Sequence, residues 1–155
     1  MRNVAKILTR QGQDIGDAAV LAKRSVDHMN RAFPDARLPD EQWRHLLDSM
    51  SNDMKDRHVL AAAAAIEPCY LVTFNLKDFP EHAVGAGVTA IHPEQFLLDL
   101  LDAFPDRVMS GVAAMANRHI RPAHTLHDLA RQIADGAMIP EFGLRLVEQL
   151  ADRNP

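Results

Sequence analysis

The sequence predicts an α/β protein with a short parallel sheet and an added C-terminal helical region. Three observations predict it. An alanine-rich helical stretch is stopped by Pro68 and followed at once by the apolar run YLVTF. A second apolar run, VTAI, comes after a loop punctuated by Pro80, Gly85 and Gly87, and it leads into a helix opened by Pro93. The resulting order, helix–strand–loop–strand–helix, is that of a parallel layer. Beyond residue 104 the apolar periodicity is only helical.

Taken in order, RNVAKILTR at 2–10 reads as the end of a helix with Val4, Ile7 and Leu8 on one face, closed by Gly12. A second helix is expected over about 14–33, with Ile15, Ala18, Ala19, Ala22, Val26, Met29 and Phe33 as its apolar positions. FPDARLPD breaks it with two prolines. Asp40 is a fair N-cap for DEQWRHLLDSM, which aligns Trp43, Leu46, Leu47 and Met50 in one stripe, although that stretch could be partly irregular. The alanine-rich helix should run from Asp53 or Lys55 to Glu67, with Asp53 as its N-cap and Asp56 in its first turn. Alanine costs little in a helix. YLVTF reads as a short buried parallel-type strand. Phe79 and Pro80 hold the loop NLKDFP that follows. The tail should form helices over about 106–118, with Val108, Val112 and Met115 inward, then from Thr125, whose Asp128 three residues on signals a capping box, to Gly136. The last begins near Pro140. Two short strands are few for a sheet, so a further element or another chain is expected to complete it.

At 155 residues and 47% hydrophobic content, the chain can bury a core. Aromatics are only 5%, so that core is aliphatic. The formal charge of −4 argues against a module that binds nucleic acid by charge alone. Arg2, Lys6, Arg10, Lys23, Arg24 and Arg31 make the N-terminal part more basic, as a solvated helix face or an RNA-facing one. Cys69 is the one cysteine, which excludes an intrachain disulfide and a cysteine zinc site within one chain. It reads as a small buried hydrophobe rather than a nucleophile. No leader is visible among the charged first residues, and VLAAAAAI is too short to cross a bilayer. A soluble, cytoplasmic protein without a membrane partner is the expectation.

Candidate chemistry gathers at two places. Asp56 opens the alanine-rich helix, where a carboxylate gains from unpaired backbone N–H groups. Asn75 and Asp78 follow an apolar strand, and sites in open α/β sheets form beyond the carboxyl ends of strands. Each residue alone could be a helix-end or turn former. Together they could bring Asp56 and Asp78 to one locus. Oxygen ligands suit Mg²⁺ or Mn²⁺, which would activate a water for attack on a phosphodiester, with Asn75 bonding a metal-bound water. Thr73 reads as structural. His58, His92 and His119 have no zinc spacing. His124 and His127 sit three apart but lack a third ligand.

The segments DRHVLAAAAAIEPCYLVTFNLKDFP and GVTAIHPEQFLLDLL resemble the PIN-domain family, and FPDA at 33–36 is similar to one bacterial subgroup. The resemblance covers roughly 1–104 and is strongest over 56–101. It implies a three-layer α/β/α fold and a metal-dependent endoribonuclease, in many relatives the toxin of a toxin–antitoxin pair. It carries Asp56 and Asp78 over as metal-binding and catalytic acids, and Asn75 as the neighbouring polar catalytic position, with Mg²⁺ or Mn²⁺ as cofactor. Implied partners are RNA, an antitoxin protein, and a second copy or another chain covering the exposed sheet. The family's opening strand ending in Asp and its early Glu have no counterpart, so the expected domain is incomplete, at 1–104, followed by a C-terminal helical extension at 105–155 that packs on it. A late start codon, an inactive remnant, or assembly with a completing chain would each account for this. The alternative function is a noncatalytic interaction or scaffold protein on a truncated PIN fold.

Overall fold

The computed structural model describes residues 15–118 and 125–153. The helix expected over 2–10, together with His119 and His124, lies outside them. The chain divides into two compact units, Met1–His45 and Leu46–Pro155.

In the first unit, helix α1 spans Ile15–Ala32 and α2 spans Asp40–Trp43. Ala18 and Ala22 are buried, but Met29 and Phe33 are each 65% exposed. Of the expected stripe of α1, Ala18 and Ala22 are therefore buried, whereas Ala19, like Met29 and Phe33, is exposed. Pro34–Ala36 form a 3-10 turn that follows α1. The continuous helix expected from Asp40 to Met50 is instead one α-turn passing into 3-10 geometry at Arg44–Ser49. Arg44 donates to Asp40 Oδ2 at 2.6 Å across that turn.

The second unit holds helix α3 (Arg57–Ala64), strand β1 (Cys69–Val72), strand β2 (Val88–Ile91) and helices α4 (Pro93–Ala103), α5 (Pro105–Arg118), α6 (Leu126–Ala134) and α7 (Pro140–Arg153). The strands pair in parallel, Cys69 opposite Val88 and Val72 opposite Ile91. That is the predicted layer. Its first helix is shorter than expected, because Asp53–Asp56 form a turn closed by Asp56 N–H on Asp53 O at 2.9 Å. Asp53 caps this turn through Lys55 N–H, not the helix. Gly87 lies flat against Glu67, where a Cβ would come within 2.7 Å of the Glu67 Cβ.

Two apolar clusters form the core of this unit. Around the sheet, Leu60, Ala63, Leu71, Phe79 and Val88 are buried together, with Met50 and Cys69 against them. Phe79 thus pins the loop as expected. The strand itself is not buried on both faces. Leu71 points inward, while Tyr70 (62%), Val72 (43%) and Phe74 (52%) are exposed, so the alternation is that of a one-sided sheet. Among the helices, Leu101, Met109, Val112, Ala116, Leu129, Ala130, Phe142 and Leu146 are buried. The inward face of α5 is Met109, Val112 and Ala116, and Met115 is 52% exposed. Of the expected inward positions, Val112 is buried and Val108 packs partly buried against the same cluster, whereas Met115 yields to Met109 and Ala116. Thr125 and Asp128 make the predicted capping box, each backbone N–H donating to the other's side chain at 2.9 and 3.0 Å. Gly143 seats α7 on the end of α6, since a Cβ there would lie 2.5 Å from Ala134 Cα. The start of α7 is tied to α4 by Glu141 N–H on Glu94 Oε1 at 2.7 Å, and its middle by Arg145 on Asp102 at 2.7 Å.

Candidate functional site

Beyond the carboxyl end of β1 the chain turns at Thr73–Phe74. Asn75 N–H donates to Thr73 Oγ1 at 3.1 Å, which gives Thr73 a structural role. Leu76–Asp78 make a 3-10 turn, with Asp78 N–H on Asn75 O at 3.2 Å. Within it, Asn75 Nδ2 donates to Asp78 Oδ2. One donor of the Asn75 amide is thus engaged with the carboxylate. A carboxylate held this way has one oxygen with a fixed direction.

Asp56 stands one position before α3, at its N-cap, rather than in its first turn. It makes no side-chain capping bond to the helix, so its carboxylate is not consumed by the backbone donors beside it. Asp56 and Asp78 are both partly buried, whereas Asn75 is exposed.

Sequence reasoning missed the residue that joins these segments. Asn52 is the buried polar residue among those described, at 6% exposure. Its Nδ2 donates to the backbone carbonyl of Asp78 at 3.5 Å. Its own carbonyl accepts from Arg57 Nε at 3.2 Å. Arg57 is the first residue of α3 and follows Asp56 directly. One buried residue therefore touches both acid-bearing segments, through its side chain at Asp78 and through its backbone carbonyl at Arg57. The available signal was an Asn in the polar run SNDMKD, which reads simply as a turn.

Among the described residues, no group of three or more His, Cys, Asp or Glu could hold a metal ion. The donors on offer are the carboxylates of Asp56 and Asp78. Mg²⁺ is commonly held by one or two carboxylates and completed by waters and substrate phosphates, so the donor chemistry fits such an ion in kind and implies weak binding without substrate. Among the described histidines, His92 lies beside the turn that leads to Asn75. It caps α4, its Nδ1 accepting from Glu94 N–H at 3.3 Å, and meets the Phe74 ring edge-on at 5.2 Å. Burial pushes the Cys69 thiol above its ordinary pKa, and the Glu67 charge adds to this. Its S–H points to Ala63 O. A thiol held protonated is no nucleophile. A hollow of about 800 Å³ flanks β2, lined by Leu76, Phe79, Pro80, Val84 and Val88, without any of the candidate acids. No described helix is long and apolar enough to cross a membrane.

Comparison with known proteins adds two findings. Residues 93–142 match the model of the VapC50 C-terminal domain family. The chain is 36% identical over 104 residues to a Mycobacterium tuberculosis protein described as "Putative ribonuclease VapC50". That match takes in 66% of this chain and 60% of the relative, so the chain spans somewhat over half the length of the protein it resembles. No solved structure matches.

Proposed function

We propose that this chain is a ribonuclease chain of the VapC/PIN type, in which Asp56 and Asp78 form one acidic locus for phosphodiester cleavage; the matches to the VapC50 C-terminal domain and to the M. tuberculosis relative support the family. The observation that carries the reading is the link through Asn52, which contacts the Asp78 backbone and the Arg57 side chain beside Asp56. Asp56 and Asp78 would hold Mg²⁺ or Mn²⁺, and such an ion, when bound, polarises a phosphate and lowers the pKa of a water. Asn75 orients the Asp78 carboxylate. The substrate is RNA and the regulatory partner an antitoxin protein, as a VapC-type toxin requires. A second copy or another chain covers the open face of the sheet. Residues 105–155 are a C-terminal extension on the nuclease-like part at 1–104. Leu97, Leu98 and Leu101 of α4 pack into the same cluster as α5–α7, which supports that arrangement.

The test is cleavage of a mixed RNA substrate by the 155-residue chain with Mg²⁺, Mn²⁺ or EDTA, beside Asp56→Ala. Cleavage that needs the ion and disappears in Asp56→Ala is expected. Equal cleavage, or equal absence of cleavage, in both proteins would overturn the reading.

A second reading has its own support. Tyr70, Val72 and Phe74 expose an apolar sheet face, and the described residues offer no larger acid cluster. A noncatalytic interaction protein on this scaffold would show both features. It predicts no metal-dependent cleavage and a stable complex through that face.

A further inference from the structure

Burying a primary amide costs free energy unless its hydrogen bonds are replaced. Asn52 is buried with its Nδ2 on Asp78 O, and among the described residues no donor meets its Oδ1. An apolar side chain of similar size would avoid that unpaired oxygen altogether. The amide is thus poorly explained as a device for stability. What it does achieve is specific. Its Nδ2 ties the segment just before Asp56 to the loop that carries Asn75 and Asp78, while the backbone carbonyl of the same residue, which any residue there would offer, accepts from Arg57 Nε.

We infer that Asn52 is a positioning residue that fixes the strand-end loop, and with it the Asp78 carboxylate, against the start of the helix that Asp56 caps. The catalytic meaning of this rests on the ribonuclease reading; the mechanical part does not. Asn52 touches no reacting atom. It acts through the 75–79 turn, whose own bonds, Asp78 N–H to Asn75 O and Phe79 N–H to Leu76 O, are local and leave the turn as a whole to be anchored. Phe79 anchors one end in the apolar cluster. Asn52 anchors the acid beside it.

The experiment is amide hydrogen exchange on the full chain for Asn52→Leu and Asn52→Asp. Both keep the branching at Cγ and remove the donor, and Asn52→Asp also keeps the side-chain volume. Exchange at Asp78 and Phe79 should quicken about fivefold to tenfold, the size of one lost hydrogen bond, while Leu60–Ala64 and Cys69–Val72 keep wild-type protection. Unchanged exchange at Asp78 and Phe79 in both variants, or an equal rise throughout, would overturn the inference; the latter would make Asn52 merely structural. Cleavage kinetics provide a second readout. With RNA as substrate, kcat should fall while KM stays put, and unchanged kcat would refute the positioning role. If the wild-type chain cleaves nothing, the ribonuclease reading fails by itself, and exchange still decides whether Asn52 holds the loop.

Discussion

The helical cluster of α4–α7 and the sheet cluster behind β1 and β2 solve the same burial problem with different completeness. In the helical cluster, faces from four helices close on one another, and Leu101, Ala130 and Leu146 are at most 1% exposed. In the sheet cluster, Leu60 is as deeply buried, but the other face of β1 is open, with Tyr70, Val72 and Phe74 turned outward. A one-sided two-stranded sheet is marginal by itself. The contrast teaches where burial is complete and where it is not. The closed helices hold the unit together, and the candidate acids lie at the edge of its less covered part.

Core truncation gives the largest expected effect and tests the contrast directly. Leu146→Ala should cost about 3–5 kcal/mol and Leu60→Ala about 2–3 kcal/mol, since a site beside an open face collapses more easily around the lost volume. Urea unfolding of both variants checks the order, and a reversed order would break the comparison. Next comes Gly143→Ala. Its Cβ would meet Ala134 and Ile133 backbone, which cannot rotate away, so about 1–3 kcal/mol should be lost in the same assay. Thr125→Ala removes one half of the capping box and should cost about 1 kcal/mol, visible as a lower thermal midpoint. The smallest effect belongs to the open face: Val72→Thr should change stability by less than about 0.5 kcal/mol. A clearly larger loss would show that this face is covered in solution and sharpen the case for a partner there.

Much of this arrangement was legible in the residues. Pro68, Pro80 and Pro93 punctuate the chain, and YLVTF and VTAI are short apolar runs, so the parallel pair and α4 follow from local pattern. The capping box at Thr125 was readable because its two partners are three residues apart. Errors arose where tertiary context sets phase or ends. The helix at 57 starts late because Asp53 bonds Lys55 N–H and closes a separate turn. Met115 and Met109 are equally good apolar positions on a helix, and only the neighbours decide which faces inward. YLVTF reads as buried on both faces, yet nothing in its composition states how many layers cover it. Of the candidate site, the residue types of Asp56, Asn75 and Asp78 were visible. The Asn75–Asp78 bond spans three residues and could be anticipated. The Asn52 contact spans twenty-six and could not.

The central claim is that Asp56 and Asp78 act as one locus. The direct measurement is Mn²⁺ titration of the isotope-labelled chain, following paramagnetic broadening of its amide signals, with Asp56→Asn as the control. The account predicts that the Asp56 and Asp78 signals of the wild-type chain broaden together, at the same Mn²⁺ concentration, and that Asp56→Asn abolishes the broadening at Asp78. Broadening at Asp78 that survives this substitution, or at neither position in the wild-type chain, would contradict it.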